Sequence, residues 1–372
     1  MSIASSEPLP DMLSCATWQT LRATLFPGCR PSVAQPHWPH VVSLANYLLV
    51  GTALWPAIKL RGGIEGVPQE LVAYLEAMHA ANAERNRAAL SQLEQACRHL
   101  NNIGITPTLF KGGALLVAGT PEVLGARFCS DFDLLVPAQR IQEAQTTLLE
   151  NDYEEVEMTD LDDPESHRHL NPIVHVASQT CIELHRTMVP RECDSLFSES
   201  DQQSMTVPFE LGAARIKVPD ATAGVLIAVI HSELIDEYIH RYIIPLRTIL
   251  DVYALQHSCA GVGEPQWQSV QARLGSRAEV ARFRCFAAIY RRVTGARLGC
   301  EGALGWRDRL RVSLCWRAVS SPRIQRWSAR WERLFPSYLE SLNKSHWQKC
   351  RAVCSALGSM FTRWHSTVRP GG

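Results

Sequence analysis

Apolar positions in this chain fall at two different spacings, and the change from one to the other divides it. From Pro68 to Gly104, Leu71, Leu75, Met78, Leu90, Leu93, Cys97 and Leu100 recur at three- and four-residue steps with charge between them. That spacing predicts one long amphipathic helix, entered at Pro68 and ended around Asn101, Asn102 and Gly104. The period then shortens. "ITPTLFK" predicts a strand, "GALLVAG" a helix opened by glycines, "DFDLLVP" a strand stopped by Pro137, and "AQRIQEAQTTLLEND" a second amphipathic helix. "PIVHVAS" and "CIELHRT" alternate faces and predict a hairpin across Gln179 and Thr180, with another short hairpin around Gly212. After Pro219 the helical spacing returns, in "DATAGVLIAVIHSELIDEYIHRYIIPLRTILDVYALQ" and then in Arg-rich helices beyond Pro265. The expected layout is a helical region over 1–98, a small mixed core over 99–218 and a helical, basic, Trp-rich region over 219–372.

The longest uncharged run, Val41 to Ile58, contains Asn46, Gly51, Thr52 and Pro56. Its length borders on that of a membrane span; the expectation is a buried helix and no membrane partner. The first residues lack a basic start and an apolar stretch, so no signal peptide is expected. The twelve cysteines are scattered singly without CxxC, which fits free thiols in a reducing cytoplasm. At 372 residues, 46% of them apolar, the chain can bury a large core without disulfide or metal staples.

Net charge is zero overall but uneven. From Val270 onward there are 20 Lys and Arg against 5 acids, and six of the ten tryptophans lie between Trp306 and Trp364. Two readings stand: a surface for tRNA or another RNA, or arginine stems covering apolar helix surface.

The chemistry gathers at "SDFDLLV". On a strand, Asp131 and Asp133 share a face while Phe132 and Leu134 take the other. Two carboxylates aimed together repel, and a divalent cation between them removes the conflict; oxygen ligands suit Mg²⁺, or Mn²⁺. Glu183 alternates with Ile182 and Leu184 and offers a third carboxylate. A Gly112–Gly113 pair at a helix start leaves amide N–H groups for an anion. Lys111 and Arg127 flank the motif, Arg127 either on phosphate or in an ion pair with Asp131. His185 reads as a partner of a carboxylate or as a polar residue on the open face. His231 reads as a helix histidine satisfied within the fold, and His167 and His169 form no metal quartet.

"KGGALL…ARFCSDFDLLV" resembles the DNA polymerase β-like nucleotidyltransferase superfamily, and within it the uncharacterised bacterial nucleotidyltransferase group and the AbiEii-type toxin nucleotidyltransferases. The group's helical C-terminal part carries a His and a downstream Asp, matched here by His231 and Asp251. The resemblance implies an α+β fold, with a small mixed sheet and flanking helices between helical regions. It implies catalytic and metal-binding Asp131, Asp133 and Glu183, with Lys111, Gly112, Gly113, Arg127 and His185 about the nucleotide. The expected reaction is Mg²⁺-dependent transfer of a nucleoside monophosphate from an NTP to a hydroxyl of a small molecule or peptide product. A toxin-like enzyme acting on tRNA and a non-catalytic nucleotide-binding module are the alternatives. Two features depart from the superfamily pattern: seventeen residues separate Gly113 from Asp131, and the third acid is Glu where Asp is common.

Overall fold

The computed structural model describes residues 14–29, 36–62, 66–156, 169–257 and 259–319. Helices α1 (Cys15–Leu25), α2 (Trp38–Tyr47) and α3 (Leu54–Leu60) precede the long α4 (Gln69–Asn102). Strand β1 (Thr108–Phe110), α5 (Lys111–Ala118), α6 (Pro121–Ala126), β2 (Asp131–Leu135), α7 (Ile141–Leu149), β3 (Tyr153–Glu155), β4 (Ile173–His175) and β5 (Cys181–His185) follow. Then come α8 (Glu199–Ser204), β6 (Thr206–Leu211), β7 (Ala214–Pro219), α9 (Ala221–Ile230) and α10 (Leu246–His257). Helices α11 (Trp267–Arg273), α12 (Arg277–Thr294) and α13 (Trp306–Ala318) complete the described part.

The strands form one mixed seven-stranded sheet in the order β3-β4-β5-β2-β1-β7-β6, with helices about it. Its middle decides the site. β1 runs antiparallel to β2, pairing Phe110 with Asp133, and β2 runs parallel to β5, pairing Asp133 with Glu183. Phe132, Leu134, Ile182 and Leu184 fill the opposite face and are buried. One continuous core joins α1 through the sheet to α12 and α13. Local chemistry fixes the helix ends: Ser276 and Glu279 close a capping box at the start of α12, and Gly295 ends it at φ 80°.

Three expectations need correction. The run from Val41 to Ile58 is not one helix: Leu49 turns left-handed at φ 57°, ending α2, and a 3₁₀ turn at Gly51–Ala53 leads into α3. A Cβ on Gly51 would meet the Asn46 side chain at 1.9 Å, so the reversal is tight. The helix expected after Pro219 also breaks. α9 runs into a π-helical segment, His231–Ile235, and the chain is irregular until Pro245, which lacks the N–H a continuous helix needs. Third, β3 was missed; it adds an edge strand next to β4.

Ten cysteines are free among the described residues. No helix there is long and apolar enough to cross a membrane. The basic region is described only as far as Val319. Within that part Arg273, Arg282, Arg291 and Arg311 pair with acids of the chain, and Arg292 stacks on Trp316. The tryptophans and arginines beyond Val319, with Cys350 and Cys354, lie outside the described residues, as does His167.

Candidate active site

Asp133 sits in mid-sheet with its side chain 5% exposed. Lys111 Nζ pairs with its Oδ1, and His185 Nε2 lies 2.9 Å from the same oxygen. His185 Nε2 is also 3.4 Å from Glu183 Oε2. The imidazole is wholly buried against Phe110 and His169, and neither ring nitrogen has a directed hydrogen bond. His169 bridges to β5 at His185. Burial opposes ionisation of Asp133, but His185 and Lys111 outweigh it and hold the carboxyl well below the usual carboxylate range. His185 likewise lowers Glu183, against burial and the charge of Asp133.

Lys111, Asp131, Asp133 and Glu183 open on one cleft of about 840 Å³, whose far side comes from the irregular segment after α9 and from α10. Asp131 stands apart from the Asp133–Glu183–His185 cluster; its Oδ1 accepts from Ser130 Oγ at 2.7 Å. The ligand atoms of Asp133, Glu183 and His185 all lie within 4.8 Å of one another. Of these, the two carboxylates line the cleft and the imidazole lies behind them. Two carboxylates facing the cleft, with the His185 Nε2 2.9 and 3.4 Å behind them, suit a hard divalent cation.

The glycine pair is placed by two different contacts. A Cβ on Gly113 would come within 2.6 Å of Leu109 and 2.9 Å of Phe132, so α5 lies close on the sheet. A Cβ on Gly112 would crowd the Arg127 guanidinium at 3.0 Å. Lys111, just ahead, has φ 52°, and no side chain caps the helix start. Arg127 does not reach Asp131. It forms a two-pronged pair with Asp251, Nε to Oδ1 at 2.7 Å and Nη2 to Oδ2 at 2.9 Å. His231, on the cleft wall, has Nε2 3.0 Å from the Met188 carbonyl. Burial pushes the Cys129 thiol up to about 11 and the Cys181 thiol up to about 12, so neither supplies a thiolate at neutral pH.

The sequence reading missed the polar clamp that holds the stretch before β2. Asn86 Nδ2 donates to the Leu124 and Arg127 carbonyls, both at 2.8 Å, and Asn82 Nδ2 donates to Gly125 and Arg127. Arg85 donates to the Cys129 carbonyl at 2.6 Å and stacks on Phe128. A signal was present: the apolar stripe of α4 falls silent between Met78 and Leu90, where these side chains stand.

A mixed sheet that sets two acidic strands in register beside a glycine-opened helix, on a cleft lined by both carboxylates and basic side chains, is a framework suited to an enzyme acting on phosphates. The chain belongs to the family described as uncharacterised nucleotidyltransferases, whose pattern matches residues 34–294. Among solved structures, an antigenic nucleotidyltransferase-like protein from Paracoccidioides brasiliensis is similar at 14% identity, over 55% of this chain and 93% of that one, with a TM-score of 0.33. No curated protein matches the sequence.

Proposed function

We propose that this nucleotidyltransferase moves a nucleoside monophosphate from an NTP to a hydroxyl acceptor, a small molecule or a peptide product, and releases pyrophosphate. The observation that carries the reading is the register of β2 against β5, which sets Asp133 beside Glu183 on the cleft side of the sheet with Asp131 one step along. Asp131, Asp133 and Glu183 would hold Mg²⁺ or Mn²⁺. Bound there, the ion supplies charge neutralisation on the triphosphate and a lower pKa at the acceptor hydroxyl.

The chain's own residues do the positioning. Lys111 and His185 keep Asp133 ionised, ready as a ligand. The uncapped start of α5 offers amide N–H groups to phosphate oxygens. Glu183, 21% exposed at its side chain, is the acid available to orient an acceptor hydroxyl. The acceptor hydroxyl then releases its proton to solvent as its oxygen bonds to the α-phosphorus, the bond to the bridging oxygen breaks and pyrophosphate departs. Most of the acceleration comes from placement and charge, since this chemistry asks for no covalent intermediate on the protein.

The test is incubation with each labelled NTP, a divalent ion and a cell extract, followed by fractionation of the label. Parent protein is expected to label a small-molecule or peptide fraction; label on RNA would instead favour the tRNA-directed alternative. Asp133→Asn should lose at least ~100-fold in rate, the scale of removing one key electrostatic group. Transfer by that variant at the parent's rate would end the proposal.

A further inference from the structure

A buried charge without a partner is costly, so an unpaired cation in a cleft marks where an anion belongs. Two of the cations at this site are already spent: Lys111 on Asp133, and Arg127 on both oxygens of Asp251. Arg247, in the first turn of α10, is different. It lines the cleft and is only partly exposed. One of its N–H groups donates to the Phe128 carbonyl at 3.2 Å, and among the described residues no carboxylate pairs with it. Burial, and next the neighbouring Arg127 charge, push its pKa down; Asp251 and Asp131 pull the other way without restoring it.

Its neighbours point the same way. The Arg127 guanidinium beside it lies over Gly112 at the start of α5, where no side chain caps the helix. Arg247 and the uncapped helix start thus line the same cleft as the carboxylates of β2 and β5, and Arg247 is a cation there that keeps donors free. A guanidinium with most of its donors unused matches the paired oxygens of a phosphate better than a lysine does.

We infer that Arg247 binds the terminal phosphates of the nucleotide, the part that leaves as pyrophosphate, and that this anion is the counter-ion it lacks within the chain. The inference rests on the proposed transfer reaction and adds a binding residue from the helix that forms the far wall of the cleft.

Calorimetric titration of the full chain with inorganic tripolyphosphate, ATP and AMP tests it in the parent, R247Q and R247K. R247Q should lose ~10- to 100-fold in affinity for tripolyphosphate and ATP alike, the effect of one charge-assisted hydrogen-bonded contact. AMP affinity should not move, and R247K should fall between. Equal affinity of R247Q and parent for both polyphosphates overturns the inference, and so does an equal loss for AMP. A parent that binds neither polyphosphate removes the transfer reading and this one together, whereas a binding parent with an indifferent R247Q removes only the role of Arg247. Should R247Q fail to fold, R247M keeps the apolar stem in place and is read by the same criteria.

Discussion

Lys111 carries two burdens at one position. Its ammonium neutralises Asp133, and its backbone is held at φ 52°, a region that costs an L-residue roughly 1–2 kcal/mol. Nothing about helix formation requires a lysine there. The strain persists because the β1-to-α5 turn must place the ammonium over the sheet while Gly113 packs on Leu109 and Phe132. This separates backbone from charge experimentally. Lys111→Ala and Lys111→Gly both remove the ammonium, and both are expected to lose transfer activity. Alanine is normally the better helix residue by about 1 kcal/mol. Here the order should reverse, with the glycine variant more stable by about 1 kcal/mol in urea unfolding. An alanine variant as stable as the glycine one would show that the turn relaxes and stores no strain.

At the scale of elements, what the sequence disclosed and what it hid follow from how far each signal reaches. β2 and β5 were legible because two-residue alternation is local: Phe132, Leu134, Ile182 and Leu184 alternate with the acids. Their adjacency was expected only from the need for a third carboxylate; the parallel direction and register were not legible, because they depend on a partner far along the chain. His185 therefore stayed undecided between two roles until the pairing brought it to Asp133. The breaks at Leu49 and after Ile235 were hidden for another reason. Leu49, Glu237 and Tyr242 take positive φ values without being glycine, and no residue-type signal announces that. Yet the second break supplies a cleft wall. The polar gap in α4 is legible in the sequence. Asn86 is wholly buried there, and its two carbonyl contacts fix the backbone that delivers Arg127 and β2. Asn86→Ala should cost about 1–3 kcal/mol, the penalty for leaving buried carbonyls unpaired. It should also lower transfer more than a surface change of equal stability cost. Unchanged urea midpoints would show that α6 and the following turn hold themselves.

Across the whole molecule, the C-terminal helices grip the segment that walls the cleft. Arg282 on α12 donates to the Glu233 carbonyl and pairs with Glu237 at 2.7 Å, and Cys315 on α13 donates to the Ile239 carbonyl at 3.2 Å. Two titratable side chains lie in that junction, Glu233 buried and His240 partly so, and they make its stability depend on pH in opposite senses. Glu233 is fully buried, with Oε1 accepting from Ser232 at 2.6 Å and Oε2 unpartnered, and burial raises its pKa from 4.5 to about 7. Below 4.5 the carboxyl is protonated in both folded and unfolded chains. As pH rises from there to 7, the unfolded chain gives up the proton while the folded one keeps it, so stability falls and the loss is complete above 7. Each tenfold change in proton affinity is worth about 1.36 kcal/mol, so the span is on the order of 3 kcal/mol. His240 acts in reverse: burial, then Arg282 and Arg311, lower it from 6.5 to about 3, so its neutral form is favoured and stability is lost as pH falls below 6.5. The two slopes oppose one another between 4.5 and 6.5, and above that window Glu233 acts without the opposing histidine. Glu233→Gln keeps a neutral group on Ser232 and abolishes one slope. Its stability relative to the parent should therefore be nearly unchanged at pH 4.5 and should rise to an advantage on the order of 3 kcal/mol at pH 8. Urea unfolding of both proteins at pH 4.5, 6.5 and 8 measures that gap; a gap constant across the three would mean Glu233 binds its proton no more tightly in the fold than in the unfolded chain.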